Sequence, residues 1–365
     1  MPPKNRPFPL LQKGRGAPSN TAPQRFNLQD HDWDGNWLDE REYLEGGSPK
    51  LRTDVSVEFP KSIISYNASP DLPFDRSINA YRGCEHGCVY CYARPTHAYH
   101  DLSPGLDFET KLFAKPNAAE LLLQTFAKPN YRPANLALGT NTDPYQPIEK
   151  RYRITRQILE VMLETQHPVV VTTKSNRVVE DIDLLAALAI QQLTAVTISV
   201  TTLDPKTARL LEPRAPAPAR RLEAVQKLSN AGIYVHINIA PVVPAITDHE
   251  IEETTVAAAE SGAKSISFIP MRLPHEVAPL FEQWLETHYP ERKSKVMSIV
   301  RQMRGGKRND PEFYSRMRGH GPWADLMRTR LAIASRKAGL NVTKIELRTD
   351  LFRRPIIEGS QLELF

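Results

Sequence analysis

The sequence predicts an α/β protein built on a parallel sheet. Three observations lead there. From about residue 75, β-like runs alternate with amphipathic runs; the β-like runs are rich in Val, Ile and Thr; and Gly232 and Gly262 stand where two of the helical runs must stop. Repeated strand–helix units need helical crossovers between parallel neighbours, and runs of this composition suit strands covered on both faces. Such a series either curls toward a barrel or opens into a doubly wound sheet. In both cases the ligand site lies at the C-terminal ends of the strands.

Six strand–helix units can be read in order. "RSINAY" leads into a cysteine-bearing loop. "ANLALGT" precedes "ITRQILEVMLET", and "PVVVTTK" precedes "VVEDIDLLAALAI". "TAVTISVTT" is followed, after a Pro-rich turn, by "ARRLEAVQKLSNAG". "IYVHINIAP" precedes "DHEIEETTVAAAESG", and "KSISFIP" precedes "EVAPLFEQWLETHY". Residues 1–60, rich in Pro, Gly and basic residues at their start, are expected to form an irregular N-terminal arm, with Trp33 and Trp37 available to clip it to the body. Residues 61–290 are expected to form the core, 291–356 a mostly helical basic extension, and 357–365 a flexible tail.

Charge supports that division. The chain carries a net charge of +5, while residues 301–337 alone hold ten Lys/Arg against Asp310, Glu312 and Asp325. A concentrated basic stretch suits a polyanion such as nucleic acid, although a solvated helical face gives the same signal. "RMRGHGPWADLMRTR" adds Trp323, with Phe313 and Tyr314 just before it, as rings able to stack a base or simply to pack a helix. The N-terminal "MPPKNRPFPL" has no apolar leader core and the apolar runs are too short to span a bilayer, so a soluble cytoplasmic protein is expected.

All three cysteines, Cys84, Cys88 and Cys91, fall in "GCEHGCVYC". An odd, clustered set cannot form a disulfide framework and points to a reducing compartment and to metal. A structural zinc site needs four ligands, so His86 or a distant His would have to complete it. A [4Fe–4S] cluster held by three cysteines instead leaves one iron open to a small molecule. Gly83 and Gly87 let the loop wrap a bulky group closely.

C-x3-C-x2-C after the first strand of a βα series, with Tyr90 before the last cysteine, resembles the radical S-adenosylmethionine superfamily. "AYRGCEHGCVYCYARPTH", "GTNTDPYQPIEKRYRITRQILE", "VVVTTKSNRVVEDIDLL" and "EPRAPAPARRLEAVQKLSNAGI" are similar to its spore photoproduct lyase-like, DNA repair photolyase-related subgroup over about residues 60–355. The resemblance implies a partial (β/α)6 TIM-like barrel. It also implies a [4Fe–4S] cluster on Cys84, Cys88 and Cys91, with S-adenosylmethionine on the open iron as the source of a 5′-deoxyadenosyl radical. Tyr90 matches the position beside the adenine. Thr140, Asn141, Thr142 and Asp143 match the contacts to the methionyl amino group, although "NTDP" is also good turn chemistry. Lys174 and Arg214 would meet a carboxylate, and Ser199 the ribose or carboxylate; a surface lysine, a Pro-turn brace and a buried serine are the plain alternatives. Spore photoproduct lyase returns a hydrogen atom from a further cysteine, and Thr140 stands at that place here. A tyrosyl route through Tyr92, with Tyr90 adjacent, is the remaining relay.

The implied function is radical chemistry on nucleic acid, with an electron donor as partner. The alternatives are radical activation or modification of a protein partner, and a clamp- or nucleic-acid-binding protein whose cluster is structural or redox-sensing. The terminal Gln361, Leu362, Leu364 and Phe365 resemble the pentapeptide that docks on the bacterial DNA sliding clamp, and an apolar tail folding back on its own body is the other reading.

Overall fold

The computed structural model describes residues 14–20 and 51–356. Ten strands are present among these residues: β1 (Asp54–Val57), β2 (Ile64–Tyr66), β3 (Arg76–Ile78), β4 (Tyr81–Arg82), β5 (Lys111–Ala114), β6 (Leu136–Leu138), β7 (Val169–Thr173), β8 (Thr194–Ser199), β9 (Tyr234–Val242) and β10 (Ser265–Pro270). Seven of them form one sheet in the order β10-β9-β8-β7-β6-β3-β2. β3 and β6 to β10 are mutually parallel, and β2 caps one edge antiparallel to β3.

Those six parallel strands are the six expected from the pattern. Their spatial order follows the chain order, so every crossover steps the same way. A doubly wound sheet would reverse direction at a switch point; this sheet does not, and its winding is that of an incomplete barrel. No bond joins β10 to β2, so the barrel stays open.

Burial explains the curvature. In β6 and β8 nearly every side chain is buried. The burial of β9 alternates: Val235, Ile237 and Ile239 pack into the main core with Val225, Leu228 and Ile251 from the covering helices. Its other face carries His236 and Asn238, half-buried, and the His236 nitrogens reach the hydroxyls of Ser265 and Ser267 on β10, each at 2.7 Å. The expectation of strands buried in apolar surroundings on both faces therefore fails at the open edge, where the inner face is polar.

Four short strands lie outside the expected units. β1 pairs parallel with β5 and β4 pairs antiparallel with it, forming a three-stranded sheet around the cysteine loop. β1 falls within the stretch read as an irregular arm. The basic extension is helical over Pro290–Met303, Ser315–Arg318 and Gly321–Lys337. Beyond it the chain is not helical, contrary to expectation. Residues 341–354 run as a strap past the N-terminal ends of the strands, with Asn341, Arg348 and Arg353 amides donating to Lys264, Gln192 and Thr165 carbonyls. No helix among the described residues is long and apolar enough to cross a membrane.

The strap covers a buried histidine. His167 donates from Nδ1 to the Pro168 carbonyl at 2.9 Å and accepts the Tyr131 hydroxyl at Nε2 at 2.8 Å, with Phe126 stacked 4.4 Å away and Phe352 of the strap edge-on. Burial lowers its pKa from 6.5 to about 4, against the Pro168 bond. The unfolded chain therefore takes up a proton below pH 6.5 that the native chain refuses until about pH 4. Stability present above that window is lost as pH falls through it, by about 3 kcal/mol for this group. A His167→Gln chain should lose that share of the acid limb, leaving the shares of His97 and His236, which burial also lowers to about 4. Urea unfolding across the window measures it, and an unchanged slope would rule the assignment out.

Candidate functional site

The cysteine loop sits between β4 and β5, at the C-terminal ends of the parallel strands. Its turns are closed by backbone bonds from Gly87 to Cys84, Cys91 to Cys88 and Arg94 to Cys91, and the Cys84 amide donates to the Phe108 carbonyl at 2.9 Å. Gly83 and Gly87 both hold positive φ, 70° and 67°. A Cβ on Gly83 would stand 2.5 Å from a Leu112 methyl, so no other residue fits there. Cys84 and Cys88 are buried and Cys91 is partly exposed; all three are free thiols. Burial raises the Cys88 thiol to about 12 against the nearby Lys174 ammonium, and holds Cys84 well up as well. Such thiols stay protonated until a metal displaces the proton.

Two buried ion pairs hold this loop, and sequence reasoning missed both. Arg94 and Glu109 are fully buried and 2.5 Å apart. Arg94 also donates to the carbonyls of Cys88 (2.9 Å), Gly87 (3.1 Å), Pro104 and Gly105. Glu109 in turn accepts the amides of Gly16 (3.0 Å) and Ala17 (2.7 Å). Arg15 ties the same segment to Glu109 and Leu51 carbonyls. A Cβ on Gly16 would stand 1.6 Å from the Gly87 oxygen, so residues 14–20 lie directly against the loop.

The second pair is Glu212–Arg221. Glu212 accepts from Arg221, from the Thr201 hydroxyl at 2.6 Å and from the Tyr90 hydroxyl. Burial alone would raise its pKa, but Arg221 and Lys174 outweigh that and hold it at about 2. One signal was available: Arg221 lies three, four and seven residues before Ala224, Val225 and Leu228, on the buried face of its helix.

The expected cofactor contacts divide into two groups. Asp143 is already saturated. It accepts the Thr173 hydroxyl (2.6 Å) and the amides of Lys174 (2.7 Å) and Tyr145 (2.9 Å), and His86 approaches within 3.3 Å. Burial would raise its pKa; His86 and these donors lower it to about 2. Thr142 donates to the Tyr81 carbonyl, and the Asn141 and Thr142 amides both point at Asn79 Oδ1. This turn locks the strand end, and Thr142 and Asp143 serve that lock. The Arg214 guanidinium pairs with Glu85 at 2.9 Å and its amide donates to the His86 carbonyl, bracing the loop beside Cys84. Gln146, also unforeseen, bonds the Glu85 amide and Gly83 carbonyl.

Lys174, Ser199, Thr140 and Asn141 remain near the open side. Lys174 Nζ lies 5.9 Å from the Tyr90 ring centre and has no hydrogen bond or ion pair among the described residues. Burial disfavours its charge, but Cys88 and Glu212 keep its pKa above the ordinary lysine value. The Ser199 hydroxyl is likewise without a partner among the described residues, while Arg221 takes its carbonyl. Tyr92 donates its hydroxyl to the Thr140 carbonyl, which brings the two expected relay positions together. The Tyr90 hydroxyl is committed to Glu212 instead, and this removes it as a freely placed hydrogen donor.

The loop's three thiols are a donor set suited to an iron–sulfur cluster. A four-iron cluster binds its cysteines at separate corners, and the loop offers three thiols, glycine-lined turns and an adjacent unpartnered cation. The motif Gln361–Phe365 lies outside the described residues, as do Trp33 and Trp37.

Much of the basic stretch is engaged within the chain. Arg316 forks onto Asp71 (2.6 Å), Arg308 pairs with Glu282 (3.0 Å), and Arg328 and Arg330 pair with Asp325 and Glu252. Trp323 donates to Asp248 and packs against the core, so helix packing accounts for it, while Phe313 and Tyr314 are half-exposed.

Comparison with known proteins agrees with this architecture. The model of the Radical SAM superfamily matches residues 78–256, which include the cysteine loop and four of the six strand–helix units. An uncharacterized protein of Mycobacterium tuberculosis is 35% identical over 232 residues, spanning 63% of this chain and 68% of the relative. One from Methanocaldococcus jannaschii is 26% identical over 216 residues, 59% and 76% of the two chains. Among solved structures, a tyrosine-to-phenylalanine mutant of spore photoproduct lyase superposes with a TM-score of 0.58 at 15% identity, covering 80% of this chain and 82% of that one. Spore photoproduct lyase complexed with dinucleoside spore photoproduct gives 0.50 at 16%, covering 66% and 68%. At these identities the likeness to the solved structures is one of fold. With the family model over the cysteine loop and a 35% identical relative covered over two thirds of its length, the chain belongs to the radical S-adenosylmethionine superfamily.

Proposed function

We propose that the protein is a radical S-adenosylmethionine enzyme acting on nucleic acid, in the manner of spore photoproduct lyase. The observation that carries the chemistry is the placement of the chain's only three thiols in one braced loop, at the C-terminal ends of six parallel strands, beside an unpartnered lysine. Cys84, Cys88 and Cys91 would hold a [4Fe–4S] cluster. When bound, that cluster supplies the electron that splits the sulfonium of S-adenosylmethionine and releases a 5′-deoxyadenosyl radical.

The chain's own residues bind and shield. Lys174 offers an ammonium to the methionyl carboxylate and keeps its charge because Cys88 and Glu212 stand beside it. Ser199 offers a hydroxyl to the ribose. Tyr90 is pinned by Glu212 and Thr201, and this fixes its ring against the cofactor space. The Arg94 and Arg221 ion pairs exclude water from behind the loop. Thr140 has an alcohol at the place where spore photoproduct lyase uses a thiol, and the phenol of Tyr92, bonded to the Thr140 carbonyl, stands beside it. No thiol is left over here, so a return of hydrogen from cysteine is not available to this chain.

Support for nucleic acid comes from the fold likeness to a protein solved with a dinucleoside photoproduct, together with the exposed Phe313 and Tyr314 beside basic residues. The test is 5′-deoxyadenosine formation by anaerobically reconstituted protein with a strong reductant, with and without ultraviolet-irradiated DNA. Formation that rises with irradiated DNA is the expected result. Formation indifferent to any nucleic acid keeps the radical chemistry and overturns the substrate, and no formation from an intact cluster overturns both.

A further inference from the structure

Arg272 follows β10 directly and projects over the rim. Its guanidinium lies 4.7 Å from the centre of the Tyr92 ring. Among the described residues it makes no hydrogen bond and no ion pair. The other arginines fixed at this end of the barrel are occupied: Arg304 by four carbonyls, Arg316 by Asp71, Arg214 by Glu85 and Arg221 by Glu212. A half-buried guanidinium with no anion is costly to keep, and burial does lower its pKa, with Arg316 adding to that and Tyr92 and Asp71 opposing. It is a group built to meet an anion that the chain does not supply.

The turn beside it has an equally unusual geometry. Arg304 links the two: Nη2 donates to the Pro270 and Met271 carbonyls, Nη1 to those of Ser315 and Arg316, all at 2.9–3.0 Å. Within the turn, Tyr314 holds φ 63° and ψ −51°. This backbone is strained for an aromatic residue and persists only when its surroundings over-determine it. Here Asp71 does so, accepting the Tyr314 amide at 3.1 Å and both arms of Arg316. The strain leaves Phe313 and Tyr314 about half exposed, side by side, with the Arg316 guanidinium over the Phe313 ring at 5.0 Å. Two exposed rings on a turn that Arg304 ties to the strand end carrying a free guanidinium match what a single nucleic-acid strand presents: a flat base beside a phosphodiester.

We propose that Arg272 and the Phe313–Tyr314 turn form the substrate-strand subsite, in which the guanidinium takes a backbone phosphodiester and the rings stack the neighbouring base. The inference rests on the nucleic-acid reading above. It adds which residues hold the strand and separates them from the cofactor contacts at Lys174 and Ser199.

The test is fluorescence anisotropy of a labelled single-stranded oligothymidylate with anaerobically reconstituted full-length protein over a range of salt. Binding to the unmodified chain should weaken with salt. Arg272→Gln should weaken it about tenfold and reduce the slope of log affinity against log salt by about one. Phe313→Ala with Tyr314→Ala should weaken it by about tenfold or more at every salt concentration with the slope kept, because stacking carries no counterion release. S-adenosylmethionine affinity, measured in parallel, should hold in both. Oligonucleotide binding by the unmodified chain that neither variant changes overturns the subsite and leaves the substrate class standing. An Arg272→Gln chain that loses S-adenosylmethionine instead makes the anion the cofactor's carboxylate and also overturns it. No nucleic-acid binding by the unmodified chain overturns the substrate class first. Should Arg272→Gln fail to fold, the exposed double variant still decides.

Discussion

A Glu109→Ala chain is expected to lose about 3–5 kcal/mol of stability and most of its capacity to hold iron. Glu109 is the partner of Arg94, and both side chains are fully buried. Removing one member of such a pair leaves the other charge in a medium that cannot solvate it. Arg94 would keep its bonds to the carbonyls of Gly87, Cys88, Pro104 and Gly105, but none of these neutralises it. The amides of Gly16 and Ala17 would lose their acceptor at the same time, and residues 14–20 would be held under the loop only by Arg15 and Asn20. Chemical denaturation of the iron-free chain reads the first loss, and iron bound per chain after reconstitution reads the second. A Glu109→Leu, Arg94→Met double variant should recover part of the stability, because it leaves no orphaned charge but strands the carbonyls and amides that the pair satisfied. Gly16→Ala reaches the same loop from outside: its Cβ would stand 1.6 Å from the Gly87 oxygen, so the segment must lift away. An unchanged denaturation midpoint in Glu109→Ala would show that this bridge does not hold the loop.

The second large effect is on chemistry with little effect on folding. Cys88→Ala should abolish the visible iron–sulfur absorbance and all 5′-deoxyadenosine formation. The chain has no spare thiol to take over a ligand position, since its three cysteines all stand in this loop. The iron-free protein should nonetheless lose only about 1 kcal/mol. Cys88 packs at the edge of a cluster whose bulk comes from Val89, Phe281, Trp284 and Met297, and a methyl replaces most of what it contributes. Iron content near that of the unmodified chain would sink the assignment of Cys88 as a ligand. A large loss of apoprotein stability would mean that the thiol is needed for packing.

The parallel core was legible because its signals are local. The runs that became β6 to β10 alternate with helical patterns, and Gly232 and Gly262 take positive φ just past the helices they end. The grouping of Cys84, Cys88 and Cys91 in one loop is visible in their spacing, whereas Lys174 and Ser199 came into view only through the family resemblance. β1, β2, β4 and β5 were not legible. They are two to four residues long, too short to show a period, and three of them are stabilised only by pairing with a segment about thirty or more residues away.

Charged and polar side chains show the same divide more sharply. Asp143 and Arg214 match cofactor contacts by resemblance, and only the fold shows that each has partners within the chain, His86 with Thr173 for one and Glu85 for the other. Glu109, Arg94, Glu212 and Asn79 were not singled out in the sequence and are supports of the site. Periodicity and spacing register what a residue does with its own neighbours along the chain. They determine elements, their order and a compact ligand motif. Whether a charge is buried, satisfied or left free for a substrate depends on which distant groups arrive beside it, and so the bracing of the cysteine loop and the unpaired state of Arg272 were decided only by tertiary structure.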